Sequence, residues 1–262
     1  MNATGADAHR IRFLLLAPKG EGKGLAAETF CAAKRRGRVV AREYAPQLVA
    51  TAETLSANAR LAEPLNYTRF FVDQLLPADA ETAIYLDSDV TVRASLADLD
   101  AVARRKFAAN TSALVAVVPR EYKNVCKGFV NCRHAAIRRV FPRPEAELHA
   151  FNVGVVVFHV RRWAAQHVRD KAKAWILENP KTTERQTRVY TLGSNPPFML
   201  AVGRRWAALD RRWNCMRGLR RQRLHNTRCW ADAYVRHFPG SWRRGTGGRW
   251  ATTSSCRRRA RR

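Results

Sequence analysis

The sequence predicts an α/β protein, and three stretches carry that prediction. Phe151–Val160 (Phe-Asn-Val-Gly-Val-Val-Val-Phe-His-Val) is the most β-prone run in the chain. Its unbroken apolar character predicts a strand buried on both faces. Arg161–Asn179 follows directly and places Trp163, His167, Val168, Ala172, Trp175 and Ile176 on one face of a helix, which Asn179-Pro180 ends. Earlier, the apolar run Ile84-Tyr85-Leu86 leads straight into Asp87-Ser88-Asp89. Strand alternating with helix across residues 80–180 is the α/β pattern. A chain of 262 residues with 46 % hydrophobic content is large enough for one such domain with a sizeable core, or for two small ones.

In chain order, Ile11–Ala17 reads as a short strand, followed by a Gly-rich loop from Pro18 to Gly24. That loop lacks the spacing and the hydroxyl of a phosphate-binding Gly-x-x-x-x-Gly-Lys-Ser/Thr, so it reads as solvated. Leu25–Lys34 and the Ala-rich Gln47–Leu61 read as helices, with a short strand at Arg38–Arg42 between them. After Pro64, the residues Tyr67, Phe70, Phe71 and Leu75 fall at helical spacing; Asn66 is the expected cap and Pro77 the stop. Arg69 lies off that stripe. Ser95–Ala103 reads as a short helix, Ala113–Pro119 as a buried strand, and 120–148 as irregular and basic. Phe198–Val202 is a short helix or strand, and Leu209–Trp213 leads into a basic loop region. Trp163 and Trp213 are expected to pack in the core.

The charge is extreme and uneven. Against 21 Asp and Glu stand 48 Lys and Arg, a net +27. Arg204–Arg262 alone holds 18 Arg, no Lys and only Asp210 and Asp232 as acids. Such a bias suits a polyanionic partner, and equally a low-complexity, Arg-rich tail over 243–262. None of the six cysteines forms Cys-x-x-Cys, which argues against a zinc ribbon. Cys126 and Cys132 can close a short loop in an oxidising compartment, or all six can be scattered thiols. No apolar stretch approaches the roughly 20 residues of a spanning helix.

The chemistry concentrates at Asp87 and Asp89. In an extended chain the side-chain period is two, so both carboxylates point to one side while Ser88 points away. Converging carboxylates at the end of a buried strand are costly unless a cation lies between them, and a divalent metal with hard oxygen ligands meets that need. In open α/β sheets, ligands bind outside the carboxyl ends of the strands, where this pair falls. His237, far along the chain, is the candidate third ligand.

Together, Pro64-Leu-Asn-Tyr-Thr-Arg69, Leu75-Leu-Pro77, Ile84-Tyr-Leu-Asp-Ser-Asp89, Phe151-Asn-Val-Gly-Val155 with Trp163, Leu192-Gly-Ser-Asn-Pro-Pro-Phe198 and Arg212-Trp-Asn214 resemble glycosyltransferase family 8. They are nearest to its plant-type galacturonosyltransferase-like branch, over roughly residues 35–242. The resemblance implies a Rossmann-like nucleotide-sugar transferase of the GT-A type, with a mixed central sheet flanked by helices and a catalytic domain over 1–242. It implies Mn²⁺ held by Asp87, Asp89 and His237, with Asp87, Asp89 and Arg69 as the catalytic set. Two carboxylates and an imidazole suit Mn²⁺ better than Mg²⁺. The donor side would comprise Asn66, Arg69, Ser88, Asn152, Gly154, Gly240 and Arg243, and the acceptor side Gly193, Ser194 and Pro196. The implied partners are a UDP-sugar, UDP-galacturonate in this branch, and a polysaccharide or glycan acceptor. The implied setting is the Golgi, in cell-wall and pectin biosynthesis.

The sequence also departs from the family pattern. Ile11–Ala17 aligns with the second strand of the fold, so the first βα unit, which holds the nucleoside base, is expected to be missing. Arg243 stands where the closing motif has lysine. Gly193-Ser194-Asn195 replaces a loop that carries a carboxylate in many relatives. With no nucleophile there, a front-face transfer assisted by the leaving phosphate fits better than a covalent intermediate. Three other readings of the chain compete. Asp87-x-Asp89-x-Thr91 after an apolar strand is also the first motif of haloacid dehalogenase-type phosphatases, with Asp87 as nucleophile, although no second acidic pair follows residue 150. A basic nucleic-acid-binding protein would account for the charge but not for the Asp-x-Asp and Phe-Asn-Val-Gly stretches, and an inactive transferase would follow from the missing first unit.

Overall fold

The computed structural model describes residues 12–18, 39–44, 64–126, 128–179, 184, 187–216 and 229–238. The expected helices at Leu25–Lys34 and Gln47–Leu61, most of the Gly-rich loop, and the Arg-rich end from 243 lie outside these residues.

Two parallel strands open the described chain, β1 (Phe13–Pro18) and β2 (Val39–Tyr44), paired from Phe13 opposite Val39. The main sheet has the order β3–β6–β5–β7. Its strands are β3 (Thr82–Leu86), β5 (Val115–Asn124), β6 (His149–His159) and β7 (Trp206–Ala208). β6 runs antiparallel to both β3 and β5, while β5 and β7 are parallel, so the sheet is mixed. A smaller sheet joins β4 (Val90–Val92), β9 (Val235–His237) and β8 (Cys215–Met216), in that order.

The apolar run at Phe151–Val160 is, as its composition predicts, a central strand buried along its length. Two cores lie on its two faces. Phe151, Val153, Val156 and Phe158 pack in the larger one, with Tyr67, Phe70, Trp163, Ile176 and Phe198. Val155 and Val157 pack in the other, with Leu99, Phe107, Trp213 and Val235. The odd-numbered residues change face between Val153 and Val155, because the β5–β6 register slips there: Val117 pairs with Val156 but Val118 with Asn152. Gly154 lies inside this irregularity. Bulges of this kind re-aim neighbouring side chains.

Several elements differ from the sequence expectation. The segment after Pro64 begins as a 3₁₀ helix, Pro64–Phe71, and only its end is α-helical, as α1 (Val72–Leu75). Asn66 therefore lies inside the helix and does not cap it. At three residues per turn, no single α-helical stripe governs burial, and Tyr67, Thr68, Arg69, Phe70 and Phe71 are all buried. The helix at Ser95 continues further than expected, as α2 (Leu96–Ala109), with the Ser95 side chain accepting from the Asp98 amide. The stretch 120–148 is not wholly irregular: β5 runs on to Asn124, and α3 (Ala135–Val140) and α4 (Pro144–Glu147) follow.

The single helix expected over 161–179 is two, α5 (Val160–Ala165) and α6 (Val168–Glu178). Trp163 and Val168 are five residues apart, about 140° around a straight helix, so one helix cannot bury both on one line. His167 absorbs the break with φ 50 and is exposed instead of joining the apolar face. α7 (Asn195–Val202) is buried nearly throughout, and a second 3₁₀ helix, Arg211–Asn214, leads into β8.

The cysteines also depart from a set of scattered thiols. Disulfides join Cys126 to Cys132 and Cys215 to Cys229, and no described cysteine is free. The second bridge lies beside the β8–β9 pair, where Cys215 is opposite Arg236 and Met216 opposite His237.

Candidate functional site

β3 ends at Leu86, and its antiparallel neighbour β6 passes alongside, with Leu86 opposite Val155. One residue on, the Asp87 amide donates to the Gly154 carbonyl at 2.8 Å. Residues 88 and 89 make a tight turn into β4. The two carboxylates thus converge around a turn, not along an extended strand. β4 in turn pairs with β9, Val90 opposite His237, and the Phe238 amide donates to the Asp89 carbonyl at 2.9 Å. Backbone pairing alone carries His237 to Asp87 and Asp89, across most of the sequence.

The result is a compact cluster. Ligand atoms of Asp87, Asp89 and His237 all lie within 4.8 Å of one another. His237 Nε2 is 3.2 Å from Asp89 Oδ1 and 3.9 Å from Asp87 Oδ2. The imidazole is buried, whereas the carboxylates are partly open to solvent. Two carboxylate oxygens and one imidazole nitrogen this close together can hold a divalent cation.

Gly154 is required for this approach. A β-carbon there would overlap His237 Cε1 and come within 2.8 Å of Asp87 Oδ2. The glycine of Phe151-Asn-Val-Gly-Val155 makes room for the His237 ring and the Asp87 carboxylate.

Asp87 Oδ1 is held from behind. The Arg69 Nη2 donates to it at 3.1 Å and the Tyr85 hydroxyl at 2.8 Å. Arg69, read in the sequence as off the buried stripe, is only 4 % exposed. Its other nitrogens donate to the Val153 carbonyl at 2.8 Å and the Asn66 carbonyl at 3.0 Å, and its guanidinium lies 4.4 Å from the Tyr85 ring centre. Burial raises the Tyr85 phenol well above its usual pKa, with Arg69 pulling the other way, so the hydroxyl stays protonated and donates. Tyr85 was not singled out from sequence, because its place in an apolar strand reads as packing.

His237 is held from behind in its turn. Its Nδ1 is 2.8 Å from Asn214 Oδ1, and Asn214 Nδ2 donates to Asn152 Oδ1 at 2.8 Å. The Gly154 amide donates to that same oxygen at 2.8 Å. Asn152 is thus engaged by protein at its carbonyl oxygen, and Asn214 enters the site only through this contact.

The other expected residues are placed as follows. Ser88 is exposed at the tip of the turn. Asn66 meets the site through its carbonyl on Arg69. Gly193, Ser194 and Pro196 are buried at the start of α7, and none of the hydrogen bonds above reaches them. Gly240 and Arg243 lie outside the described residues. Trp163 and Trp213 are core residues, with Trp163 Nε1 donating to the Phe70 carbonyl at 3.1 Å. The group completing the Asp87 cluster is an imidazole and not a further acidic pair, which removes the support for a phosphatase. No helix among the described residues is long and apolar enough to cross a membrane.

The profile of glycosyl transferase family 8 matches residues 29–244. Among curated proteins, the probable galacturonosyltransferase-like 4 of Arabidopsis thaliana is 28 % identical over 172 residues, covering 66 % of this chain and 46 % of that protein. The probable galacturonosyltransferase-like 8 of the same plant is 30 % identical over 165 residues, covering 61 % and 39 %. The chain spans less than half the length of these curated relatives. Among solved structures, the galactosyltransferase LgtC in complex with donor and acceptor sugar analogues superposes with a TM-score of 0.56 at 13 % identity, covering 88 % of each chain. Mouse xyloside xylosyltransferase 1, apo form, gives 0.54 at 14 %, covering 89 % and 85 %. At such identities the likeness is one of fold, the GT-A fold expected from the sequence.

Proposed function

The chain belongs to glycosyl transferase family 8, and we propose that it moves a hexosyl or hexuronosyl group from a UDP-sugar to a glycan acceptor, with retention at the anomeric carbon and Mn²⁺ held by Asp87, Asp89 and His237. The observation that carries the metal part of this reading is the convergence of those three ligands within 4.8 Å beside a residue that must be glycine. When bound there, Mn²⁺ supplies positive charge for the donor diphosphate and for the leaving nucleoside diphosphate.

The protein's own residues prepare that position. Arg69 and Tyr85 occupy Asp87 Oδ1, which leaves Oδ2 turned toward Asp89 and His237. Arg69 acts as a positioning residue, since Nε, Nη1 and Nη2 each already donate to protein oxygens. We assign Ser88, exposed between Asp87 and Asp89, to the donor side, and Gly193, Ser194 and Pro196, at the start of α7, to the acceptor side.

The names of the Arabidopsis relatives favour a galacturonosyl donor, and so UDP-galacturonate, with a cell-wall polysaccharide as acceptor. The positive charge of the chain is compatible with an acidic glycan. Two disulfides suit an oxidising lumen such as that of the Golgi.

The reading is tested by incubating the protein with UDP-galacturonate, Mn²⁺ and an oligogalacturonide, and following the new linkage by proton NMR. An α-linked product that disappears with a chelator is expected. Inverted product, or transfer unaffected by the chelator, contradicts it.

A further inference from the structure

Resting on the reading of Asp87, Asp89 and His237 as a cation site, we propose that Asn214 and Asn152 are positioning residues that set the proton on His237. Through these two side-chain amides, the main-chain amide of Gly154 dictates which ring nitrogen is left free for metal.

The argument follows donors and acceptors outward from the backbone. An N–H of the main chain can only donate, so the Asn152 atom 2.8 Å from the Gly154 nitrogen is its carbonyl oxygen. That oxygen is also 2.8 Å from Asn214, which must therefore present its NH₂ group. The other end of the same planar amide is then oxygen, and it stands 2.8 Å from His237 Nδ1. An oxygen at that distance requires a proton on Nδ1. In the neutral ring Nε2 then keeps its lone pair, and Nε2 is the nitrogen facing Asp89 and Asp87.

The opposite tautomer would set two lone pairs against each other at Asn214 and aim an N–H into the cation position. Asn152, Asn214 and His237 are 7 %, 4 % and 3 % exposed, so water does not repair a broken link. Metal-binding histidines are commonly oriented through their second nitrogen by a carboxylate or carbonyl. Here a neutral amide does so, and its own orientation is set two links away by β6. The chain of contacts ties together three elements distant in sequence: β6, the 3₁₀ helix ending at Asn214, and β9.

Two measurements test this. The first is a long-range ¹H–¹⁵N correlation spectrum of metal-free protein, at a pH where the His237 ring is neutral. A proton on Nδ1 is expected, and a proton on Nε2 overturns the proposal. The second is a Mn²⁺ titration followed by electron paramagnetic resonance. Asn214→Ala should weaken binding roughly 10- to 100-fold with an unchanged circular dichroism spectrum. Equal Mn²⁺ affinity for Asn214→Ala and the unaltered protein overturns the proposal. If Asn214→Ala does not fold, the spectrum of the unaltered protein decides. If the unaltered protein binds no Mn²⁺, the metal reading fails by itself, and the tautomer still decides this inference.

Discussion

The guanidinium of Arg69 lies 3.1 Å from Asp87 Oδ1, with the arginine almost wholly buried and the aspartate at 27 % side-chain exposure. An ion pair with one partner in the core and the other at the rim holds a carboxylate in place while leaving its second oxygen presentable. Removing the buried partner strands the rest. Arg69→Ala leaves the Val153 and Asn66 carbonyls and Asp87 Oδ1 short of a donor, and the loss should approach about 3 kcal/mol. Arg69→Lys keeps the charge but cannot reach three acceptors in a plane, so it should fall between. Chemical unfolding of the three proteins measures this order.

Gly154→Ala separates metal binding from folding. The added methyl meets the His237 ring and Asp87 Oδ2, both at the edge of the cluster. Mn²⁺ affinity should fall sharply while secondary structure, read by circular dichroism, is retained. Unchanged affinity would mean that His237 is not a ligand.

The Cys215–Cys229 bridge joins positions 14 apart in sequence, beside the strand that carries His237. For a loop of that size, constraint of the unfolded chain stabilises by roughly 3 kcal/mol. Cys215→Ser together with Cys229→Ser should therefore lower the melting temperature and weaken Mn²⁺ binding. Cys126→Ser with Cys132→Ser opens a shorter loop, which packs in the larger core and not beside β8 or β9, and should leave Mn²⁺ binding as it was. Differential scanning fluorimetry and a metal titration compare the two pairs.

A front-face transfer predicts no covalent glycosyl-enzyme. The loop Gly193-Ser194-Asn195 offers no carboxylate. Intact-mass spectrometry after incubation with UDP-sugar should show the unmodified chain, and a trapped hexosyl or hexuronosyl adduct would falsify the front-face reading.

What was legible in the sequence was what local pattern encodes. The apolar run of β6, the strand meeting Asp87-x-Asp89, and the proline after α1 are all adjacent-residue signals. His237 stands out in the sequence only as a candidate, because its approach to Asp89 depends on β4–β9 pairing between distant segments. Arg69 falls off the α-helical stripe and is nonetheless buried, since a 3₁₀ helix does not follow that stripe. Tyr85 was hidden because its ring packs like any strand aromatic while its hydroxyl alone reaches Asp87. The break at His167 follows from a five-residue step between Trp163 and Val168, which a single-face reading passes over. The roles of Asn214 and Asn152 exist only as a pattern of donors and acceptors across three elements, and spacing along one chain carries no trace of it.

The most direct test of the central claim is calorimetric titration of UDP into the unaltered protein and Asp89→Ala, each with and without Mn²⁺. UDP should bind the unaltered protein far more tightly when Mn²⁺ is present, and Asp89→Ala should lose most of that metal-dependent gain. UDP affinity indifferent to Mn²⁺ in both proteins would contradict a metal-assisted nucleotide-sugar site at Asp87, Asp89 and His237.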